Sequence, residues 1–170
     1  LFELAGIPYV GTGDIGSAVC MDKCMAKAMF ARAGIPQADW VEIKTGEDKV
    51  MEIEEKLGYP CFVKPANAGS SVGISKARDR EQLSQALDLA AKYDRKIIVE
   101  EAIDAREFEC AVLGNEDPIV SGVGEVLAAA DFYDYDAKYN NNDSRTVIPA
   151  EVEQEKVEEM RRLAKKIFRA

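Results

Sequence analysis

Histidine is absent from the 170-residue sequence. Within this chain, that absence excludes Ser-His-Asp and Cys-His nucleophile systems and a His-ligated zinc site. The four cysteines, Cys20, Cys24, Cys61 and Cys110, have no C-x-x-C spacing and lie in apolar surroundings. We therefore expect buried free thiols in a reducing cytoplasm rather than disulfides. The remaining carboxylate, lysine, hydroxyl and backbone groups suit phosphoryl and acyl-phosphate chemistry.

Positive charge and long apolar runs are also scarce. The 22 Lys and Arg residues are outnumbered by 31 Asp and Glu residues, and the net charge of -9 argues against general nucleic-acid binding. No run approaches the ~18 apolar residues of a membrane span, and residues 1–10 lack the length and basic flank of a signal peptide. With 47% hydrophobic and 31% charged residues, the composition is typical of a soluble globular protein of one ordinary domain or two small ones.

The stretch that organises the chain is residues 61–76, with the sequence CFVKPANAGSSVGISK. Its two ends, 61–63 and 72–74, are apolar and favour strands, whereas turn-forming residues fill the middle. The pattern predicts a β-hairpin with a long, flexible tip that can close over a ligand.

The chemistry of this hairpin tip favours phosphate. Gly69 allows backbone N–H groups to approach an anion, and the hydroxyls of Ser70 and Ser71 can donate to it. Lys64 adds a point charge at the end of the first strand. The alternative is an ordinary polar hairpin loop. The stretch is not a Walker A loop, because no Lys-Ser or Lys-Thr pair follows Gly73 to begin a helix.

A second glycine-rich stretch, residues 11–16, supports a rival hypothesis. It matches G-x-G-x-x-G, follows a predicted strand at 7–10, and is followed about twenty residues later by Asp39 and Glu42. That pattern is typical of a dinucleotide-binding oxidoreductase. Against it, Pro8 interrupts the strand, and the hairpin that follows does not continue a parallel βαβ unit. The other interpretation is a glycine-rich loop before a helix.

The rest of the chain reads as a mixture of helices and antiparallel strands. Helices are expected at 22–33, at 47–57, after an Asp79 cap, and at 151–169, with strands at 40–44 and 96–101. A second hairpin over 107–126 predicts a second sheet, and residues 127–145 form a long aperiodic connection. We expect an α+β fold with helices on one face of the first antiparallel sheet. The helix 22–33 should present Met21, Met25 and Met29, together with Ala26, Phe30 and Ala33, on its apolar face.

Two charged positions in this outline admit alternative interpretations. Lys23 lies in the first turn of its helix, where it would repel the positive end of the dipole, so it faces an anion or is simply solvated. Glu100 and Glu101 end a nearly apolar strand, and they are either solvated charges or acceptors for a nucleoside.

Three motifs together resemble the D-alanine–D-alanine ligases of the ATP-grasp superfamily, to which the D-alanine–D-serine ligases are close relatives. They are Met-Asp-Lys at 21–23, Phe-Val-Lys-Pro at 62–65 with Gly-Ser-Ser-Val-Gly-Ile-Ser at 69–75, and Phe-Tyr-Asp-Tyr-Asp-Ala-Lys-Tyr at 132–139. The resemblance covers nearly the whole chain but only the middle of a family member. It implies an ATP-grasp fold in which 1–20 end an amino-terminal substrate domain, 21–104 form the central subdomain, and 105–170 begin an incomplete carboxy-terminal subdomain.

The resemblance implies that ATP phosphates lie between the hairpin and the following lid. Lys23 and Lys64 would serve the α- and β-phosphates, Ser70 and Ser71 would line the loop, and Lys138 would reach the γ-phosphate. The long connection 127–145 would be an Ω-type lid over the site, and closure of two loops would exclude water from an acyl-phosphate.

The nucleoside would be held by the residues that follow the strand 96–101. By resemblance, Glu100 and the backbone from Glu101 to Ile103 would bind adenine, and Glu107 would bind the ribose. Phe132 would pack near the nucleotide. Tyr139 would hydrogen-bond Ser70, so that Ser70, Lys138 and Tyr139 are the candidate catalytic residues.

The implied reaction is the ATP-driven joining of two D-alanines through a D-alanyl phosphate, for peptidoglycan precursors and hence cell-wall biogenesis and cell shape. Mg²⁺ would bridge the β- and γ-phosphates with ligands from outside this chain. We expect a cytoplasmic enzyme, a homodimer at full length with no nucleic-acid or membrane partner, and no dipeptide formation by this chain alone. D-Serine as acceptor, a non-catalytic nucleotide-binding module and the oxidoreductase remain open.

Overall fold

The computed structural model describes residues 1–127 and 145–170. They divide into two compact units, one of Leu1–Ala28 with Asp39–Glu101 and the other of Met29–Ala38 with Ala102–Ala170. Both units combine helices with antiparallel strands, so the α+β prediction is confirmed. The helices are α1 Phe2–Ala5, α2 Asp14–Met21, α3 Lys23–Arg32, α4 Val50–Lys56, α5 Arg80–Ala90 and α6 Gln154–Phe168. The strands are β1 Trp40–Lys44, β2 Cys61–Pro65, β3 Ser75–Ala77, β4 Lys96–Glu101, β5 Glu107–Glu109, β6 Val112–Leu113, β7 Ile119–Val120, β8 Gly124–Leu127 and β9 Arg145–Val147.

The first unit is built on a four-stranded antiparallel sheet in the order β1-β4-β2-β3. Because side chains alternate along a strand, each strand presents an apolar set to one face. On that face, α4 and α5 cover the sheet, and Ile53 and Leu83 are completely buried against it. The hairpin of β2 and β3 and the helices after positions 47 and 79 are therefore confirmed.

The other face of this sheet carries a smaller apolar cluster beside charged residues. Cys24, near the start of α3, packs there with Ala66, Ile98 and Trp40. The expectation that helices cover one face only was therefore wrong. The register of α3 is set by the Lys23 amide, which donates to the Ala66 carbonyl at 3.0 Å.

This register overturns only part of the predicted apolar face of α3. Ala26, which was predicted on that face, is buried together with Cys24, whereas Met21 and Met25 are 57% and 48% exposed. Anchoring at the first turn directs Cys24 toward the sheet, so the methionines cannot point there as well. The periodicity alone did not contain this tertiary contact.

Two predicted strands are also absent. Residues 7–13 form no strand, which agrees with the missing N–H of Pro8 and removes the parallel βαβ unit that a dinucleotide fold needs. Residues 72–74 belong to the loop, and β3 begins only at Ser75, because Ser71 and Gly73 have φ angles of +58° and +70°. Backbone in that left-handed region cannot continue a strand.

The cysteine prediction holds for two of the four thiols. All are free, and Cys24 and Cys61 are buried in the first unit, but Cys20 is exposed and Cys110 is half-buried. Burial raises the pKa of Cys24 to about 12 and that of Cys61 to about 11, so both remain protonated at neutral pH.

The second unit contains a three-stranded sheet, β5-β8-β9, and a two-stranded ladder of β6 with β7. The predicted second hairpin and second sheet are thus confirmed, and the Ser121 amide donates to the Ala111 carbonyl at 2.9 Å next to the ladder of β6 with β7. Buried Glu125 on β8 accepts two hydrogen bonds from Arg106, at 2.6 and 2.8 Å, beside the first residue of β5. Arg106 also donates to the Glu151 carbonyl, which ties the end of β9 into this unit.

The Asp79 cap gives a first testable expectation. Its carboxylate accepts from the Gln82 amide at 2.8 Å at the start of α5, and from the Gln82 side chain at 3.0 Å. Replacing Asp79 with alanine leaves that amide unsatisfied, and should lower the free energy of unfolding by about 1 kcal/mol. Urea unfolding of Asp79→Ala and Asp79→Ser measures this. Serine should retain most of the cap, and equal losses in both variants would contradict the assignment.

Candidate functional site

The charged face of the first sheet brings the predicted phosphate and adenine residues together. Phe62 lies opposite Glu100 in the β2–β4 register and Lys64 lies opposite Ile98, so Phe62, Lys64 and Glu100 share one face. The first turns of α3 lie on this same face through Cys24. Because residues four apart share one side of a helix, Lys23 and Lys27 both reach it.

Glu100 is the centre of this cluster. It is 9% exposed, and its Oε1 forms a 2.9 Å ion pair with Lys27, while its Oε2 pairs with Lys64. Burial alone would raise the pKa of Glu100, but the charge and hydrogen bonds of the two lysines outweigh it and lower the pKa below its ordinary value. Glu100 is therefore an ionised carboxylate inside the protein, held by a cation on each oxygen.

Lys23 serves the base of the hairpin loop. Its ammonium donates to the carbonyls of Pro65 and Ala66 at 3.2 and 3.3 Å, and also to the Ala68 carbonyl. Burial, followed by repulsion from Lys64, lowers the pKa of Lys23. The predicted position in the first helical turn is thus confirmed, and in this structure the charge of Lys23 organises the loop that carries Ser70 and Ser71.

The loop itself is a compact series of turns. The Val72 amide bonds the Gly69 carbonyl at 3.1 Å, and the Ile74 amide bonds the Ser71 carbonyl at 3.3 Å. Ser70 has a φ of +50° and Ser71 a φ of +58°, which is the left-handed region that costs a non-glycine residue about 1 to 2 kcal/mol. Within the described chain, the two predicted serines are the non-glycine residues with positive φ, and strained backbone of this kind is common at binding loops.

Asp94 secures the start of this loop to β4. One carboxylate oxygen accepts from both the amide and the side chain of Asn67 at 2.8 Å, and the other accepts from the Lys96 amide at 3.1 Å. Burial would raise the pKa of Asp94, but these hydrogen bonds lower it. Sequence reasoning missed Asp94, because a single acid between a helix and a strand is indistinguishable from a solvated one.

Asp22 performs a similar task for α3. Its Oδ1 accepts from the amides of Cys24 and Met25 at 3.0 and 3.2 Å, which makes it the N-cap, and its Oδ2 forms a 2.5 Å ion pair with Lys96. The pair connects the helix that carries Lys23 to β4. The Met-Asp-Lys motif contained the signal for this cap, since Asp before a helical segment is a start signal.

The Asp22 pair predicts a pH-dependent contribution to stability. Burial would raise the pKa of Asp22, but the bonds from Lys96 and the helix amides lower it below 3.8. The stabilisation is therefore complete above pH 3.8 and is lost as the pH falls through the lower folded-state pKa. Asp22→Asn retains the cap and loses the ion pair, so we expect it to reduce the free energy of unfolding by about 2 kcal/mol at neutral pH.

Urea unfolding at about pH 7 and about pH 3 tests this expectation. The difference in the free energy of unfolding between wild type and Asp22→Asn should be larger at the higher pH and smaller at the lower pH. Asp88→Asn removes a carboxylate from an exposed position of α5 and should show no such gap. A gap for Asp22→Asn that does not change with pH would contradict the account.

The remaining predicted site residues are distributed as follows. Glu101 ends β4, and its side chain accepts from the Asp39 amide at 2.8 Å, so it joins β4 to the residue before β1. Ile103 and Glu107 belong to the second unit, where Ile103 is 60% exposed and Glu107 begins β5. Phe132, Lys138 and Tyr139 lie outside the described residues. The ligand roles assigned to all these residues stay predictions.

Within 1–127 and 145–170, no group of three or more acidic or cysteine side chains could hold a metal ion. The ammonium groups of Lys23 and Lys64 and the hydroxyls of the adjoining loop are donors of the kind that a polyphosphate needs. No helix in the described part of the chain is both long and apolar enough to cross a membrane.

Comparison with known proteins decides the family. The family model described as D-ala D-ala ligase C-terminus matches residues 29–170. This chain belongs to that family. A D-alanine–D-alanine ligase from Acetivibrio thermocellus is 56% identical over 176 residues, covering 100% of this chain and 47% of the relative. One from Bacillus velezensis is 51% identical, covering 100% and 50%.

Solved structures of D-alanine ligases share the fold. The VanG D-Ala:D-Ser ligase from Enterococcus faecalis has a TM-score of 0.89 at 40% identity, covering 99% of this chain and 50% of its own. The D-alanyl-alanine synthetase A from Vibrio cholerae has a TM-score of 0.84 at 31% identity, covering 98% and 52%. The ATP-grasp fold prediction is thus confirmed. The chain spans about half the length of the curated relatives it matches.

Proposed function

We propose that this chain is the ATP-binding part of a D-alanine–D-alanine ligase, which forms a D-alanyl phosphate and then the dipeptide used in peptidoglycan precursors. The observation that supports this most strongly is the cluster on one face of the first sheet. There a strained Gly-Ser-Ser loop lies beside Lys23 and Lys64, in a chain whose net charge is -9. Concentrating cations at one place against that background is what a polyphosphate site requires.

The roles we assign follow the contacts of each group. Lys64 serves the α- and β-phosphates together with Lys23, whose bonds to the Pro65 and Ala66 carbonyls also hold the loop at its base. Ser70 and Ser71 present hydroxyls and amides to the phosphates. Fixed donors of this kind stabilise the negative charge that spreads over the γ-oxygens in the transition state.

The adenine would bind beside the phosphates, at the end of β4. Glu100 has two oxygens, each with one cation on it, and each oxygen retains a lone pair to accept from an amino group. The backbone from Glu101 to Ile103 would supply the neighbouring donor and acceptor, and Glu107 the ribose contact. In the reaction, the carboxylate of the first D-alanine attacks the γ-phosphate of ATP, which releases ADP and gives a D-alanyl phosphate. The amine of the second amino acid then attacks its carbonyl carbon and displaces phosphate.

Other parts of the proposal concern the whole ligase. We propose Phe132, Lys138 and Tyr139 for the lid contacts, Mg²⁺ held by residues outside this chain, and a homodimer in the cytoplasm. Residues 1–20, 21–104 and 105–170 are assigned to the substrate domain, the central subdomain and the carboxy-terminal subdomain. The chain by itself is expected to be inactive.

D-Serine as the second substrate is the alternative acceptor. It is favoured by the 40% identity and TM-score of 0.89 to a D-Ala:D-Ser ligase. D-Alanine is favoured by relatives named D-alanine–D-alanine ligase at 56% and 51% identity. We therefore assign D-alanine.

The test is ATP-dependent phosphate release by the full gene product that carries this chain. We expect D-alanine alone to stimulate release and to yield the D-alanyl-D-alanine dipeptide. D-Serine added with D-alanine should yield little mixed dipeptide, and L-alanine should stimulate nothing. Absence of any D-alanine-stimulated phosphate release would contradict the ligase assignment. Binding of ATP without release would favour a non-catalytic module instead.

A further inference from the structure

Two lysines share one buried carboxylate in the candidate site. Lys27 and Glu100 each have side chains only 12% exposed, and Lys64, the second partner, is 23% exposed. An exposed pair of this kind would contribute little to stability. At this depth, a carboxylate left without a partner costs several kcal/mol, on the order of 3 to 5 in measured cases.

The two lysines differ in where they are attached. Lys64 lies on β2 one residue before its end, and β2 leads into the Gly-Ser-Ser loop. Lys27 lies in the second turn of α3, whose start is fixed to the sheet by the Asp22–Lys96 ion pair and by the bonds of Lys23 to the loop. Lys64 is thus the partner next to the phosphate loop, and Lys27 is the partner held back on a fixed helix.

This arrangement resolves a conflict within the proposed function. If Lys64 binds phosphate, its ammonium must turn from Glu100 toward the nucleotide, because one ammonium cannot stay at full contact with both anions. A buried Glu100 with no other partner would oppose that movement by electrostatic attraction. Lys27, bonded to the other carboxylate oxygen at 2.9 Å, keeps the charge of Glu100 compensated when Lys64 leaves.

We propose that Lys27 is a positioning residue that frees Lys64 for the phosphates by holding the charge of Glu100. The proposal rests on the proposed function, since it needs a nucleotide phosphate as the competing anion. It assigns to Lys27 no contact with the nucleotide. Its effect on binding must therefore pass through Glu100, and removing the negative charge of Glu100 must abolish that effect.

The experiment is isothermal titration of the full gene product with ATP and, separately, with adenosine. The variants are Lys27→Met, Glu100→Gln and the double variant Lys27→Met with Glu100→Gln. Lys92→Met is the matched control, since it removes a lysine from an exposed position of the same unit. Losing one charge-assisted contact corresponds to roughly tenfold or more in affinity.

We expect Lys27→Met to weaken ATP binding about tenfold while adenosine binding changes little, because Lys64 then stays on Glu100. Glu100→Gln and the double variant should bind ATP equally, since a neutral amide does not retain Lys64. The comparison of Glu100→Gln with the double variant does not require the Lys27→Met single variant to fold, because the double variant contains no buried carboxylate without a partner. Lys92→Met should bind ATP like the wild type.

The outcomes separate the two proposals. A wild type that binds no ATP overturns the proposed function and this inference with it. A wild type that binds ATP, with Lys27→Met unaffected or with adenosine weakened as much as ATP, overturns the inference alone. A double variant that binds ATP more weakly than Glu100→Gln also overturns the inference alone, because Lys27 would then act by a route other than Glu100.

Discussion

Replacing Lys64 with methionine is expected to lower kcat/KM for ATP by about 100-fold, the loss of one fixed cation from a phosphoryl-transfer site. Methionine matches lysine as far as Cε, with sulfur in place of Cδ, and lacks the ammonium. Lys27 still pairs with Glu100 at 2.9 Å, so the variant leaves no unpaired buried carboxylate and should unfold close to the wild type. The large functional effect with a small stability effect is the signature of a group that acts on the ligand.

Steady-state kinetics of Lys64→Met, with urea unfolding of the same sample, measures both quantities. Lys92→Met is again the control, because it removes the same charge from an exposed position of the first unit. We expect the control to stay within about twofold of the wild type, as is usual for surface changes far from a site. If Lys64→Met and Lys92→Met lose activity equally, the charged face is not where ATP binds.

Gly73→Ala is expected to reduce the free energy of unfolding by about 3 kcal/mol, which combines a left-handed alanine with overpacking. Gly73 has a φ of +70°, and a Cβ there would lie 2.5 Å from a ring carbon of Tyr93 and 2.9 Å from Cγ of Pro65. Tyr93 is 55% exposed and can turn away, whereas Pro65 is completely buried and cannot. The loop must therefore shift at its base, and ATP affinity should fall with it.

Gly69→Ala is the matched comparison at the other end of the loop. Nothing lies within 4 Å of a Cβ at Gly69, and its φ is not positive, so the variant should unfold like the wild type. A methyl group beside the backbone amides should nevertheless lower the affinity for ATP, since it blocks close approach of a phosphate. Urea unfolding and ATP titration of both variants test the pair. Equal stability of Gly73→Ala and the wild type would contradict the packing argument.

The sequence carried enough information to predict the candidate site but not the contacts that hold its residues together. Phe-Val-Lys-Pro followed by Gly-Ser-Ser identified the hairpin, Lys64 and the loop serines, because such short motifs depend on neighbouring residues. The nearly continuous apolar run of β4 placed Glu100 and Glu101 at its end, where the structure has them. These features are local, and a local pattern can be recognised in a sequence without knowledge of the three-dimensional structure.

The groups that were missed all act across long separations in the chain. Lys27 meets Glu100 73 positions later, Asp22 meets Lys96, and Asp94 meets Asn67. The periodicity of a sequence does not reveal an ion pair between a helix and a strand. The strand expected at 72–74 is absent for a different reason, since the positive φ angles of Ser71 and Gly73 are not encoded by β propensity.

The central claim is that a nucleotide lies on the charged face of the first sheet. The most direct test is the crystal structure of the full gene product with a non-hydrolysable ATP analogue. We expect its phosphates within hydrogen-bond distance of Lys64 and the loop of Ser70 and Ser71, and its adenine beside Glu100. An analogue bound instead at the glycine-rich residues 11–16, with Lys64 still on Glu100, would contradict the account.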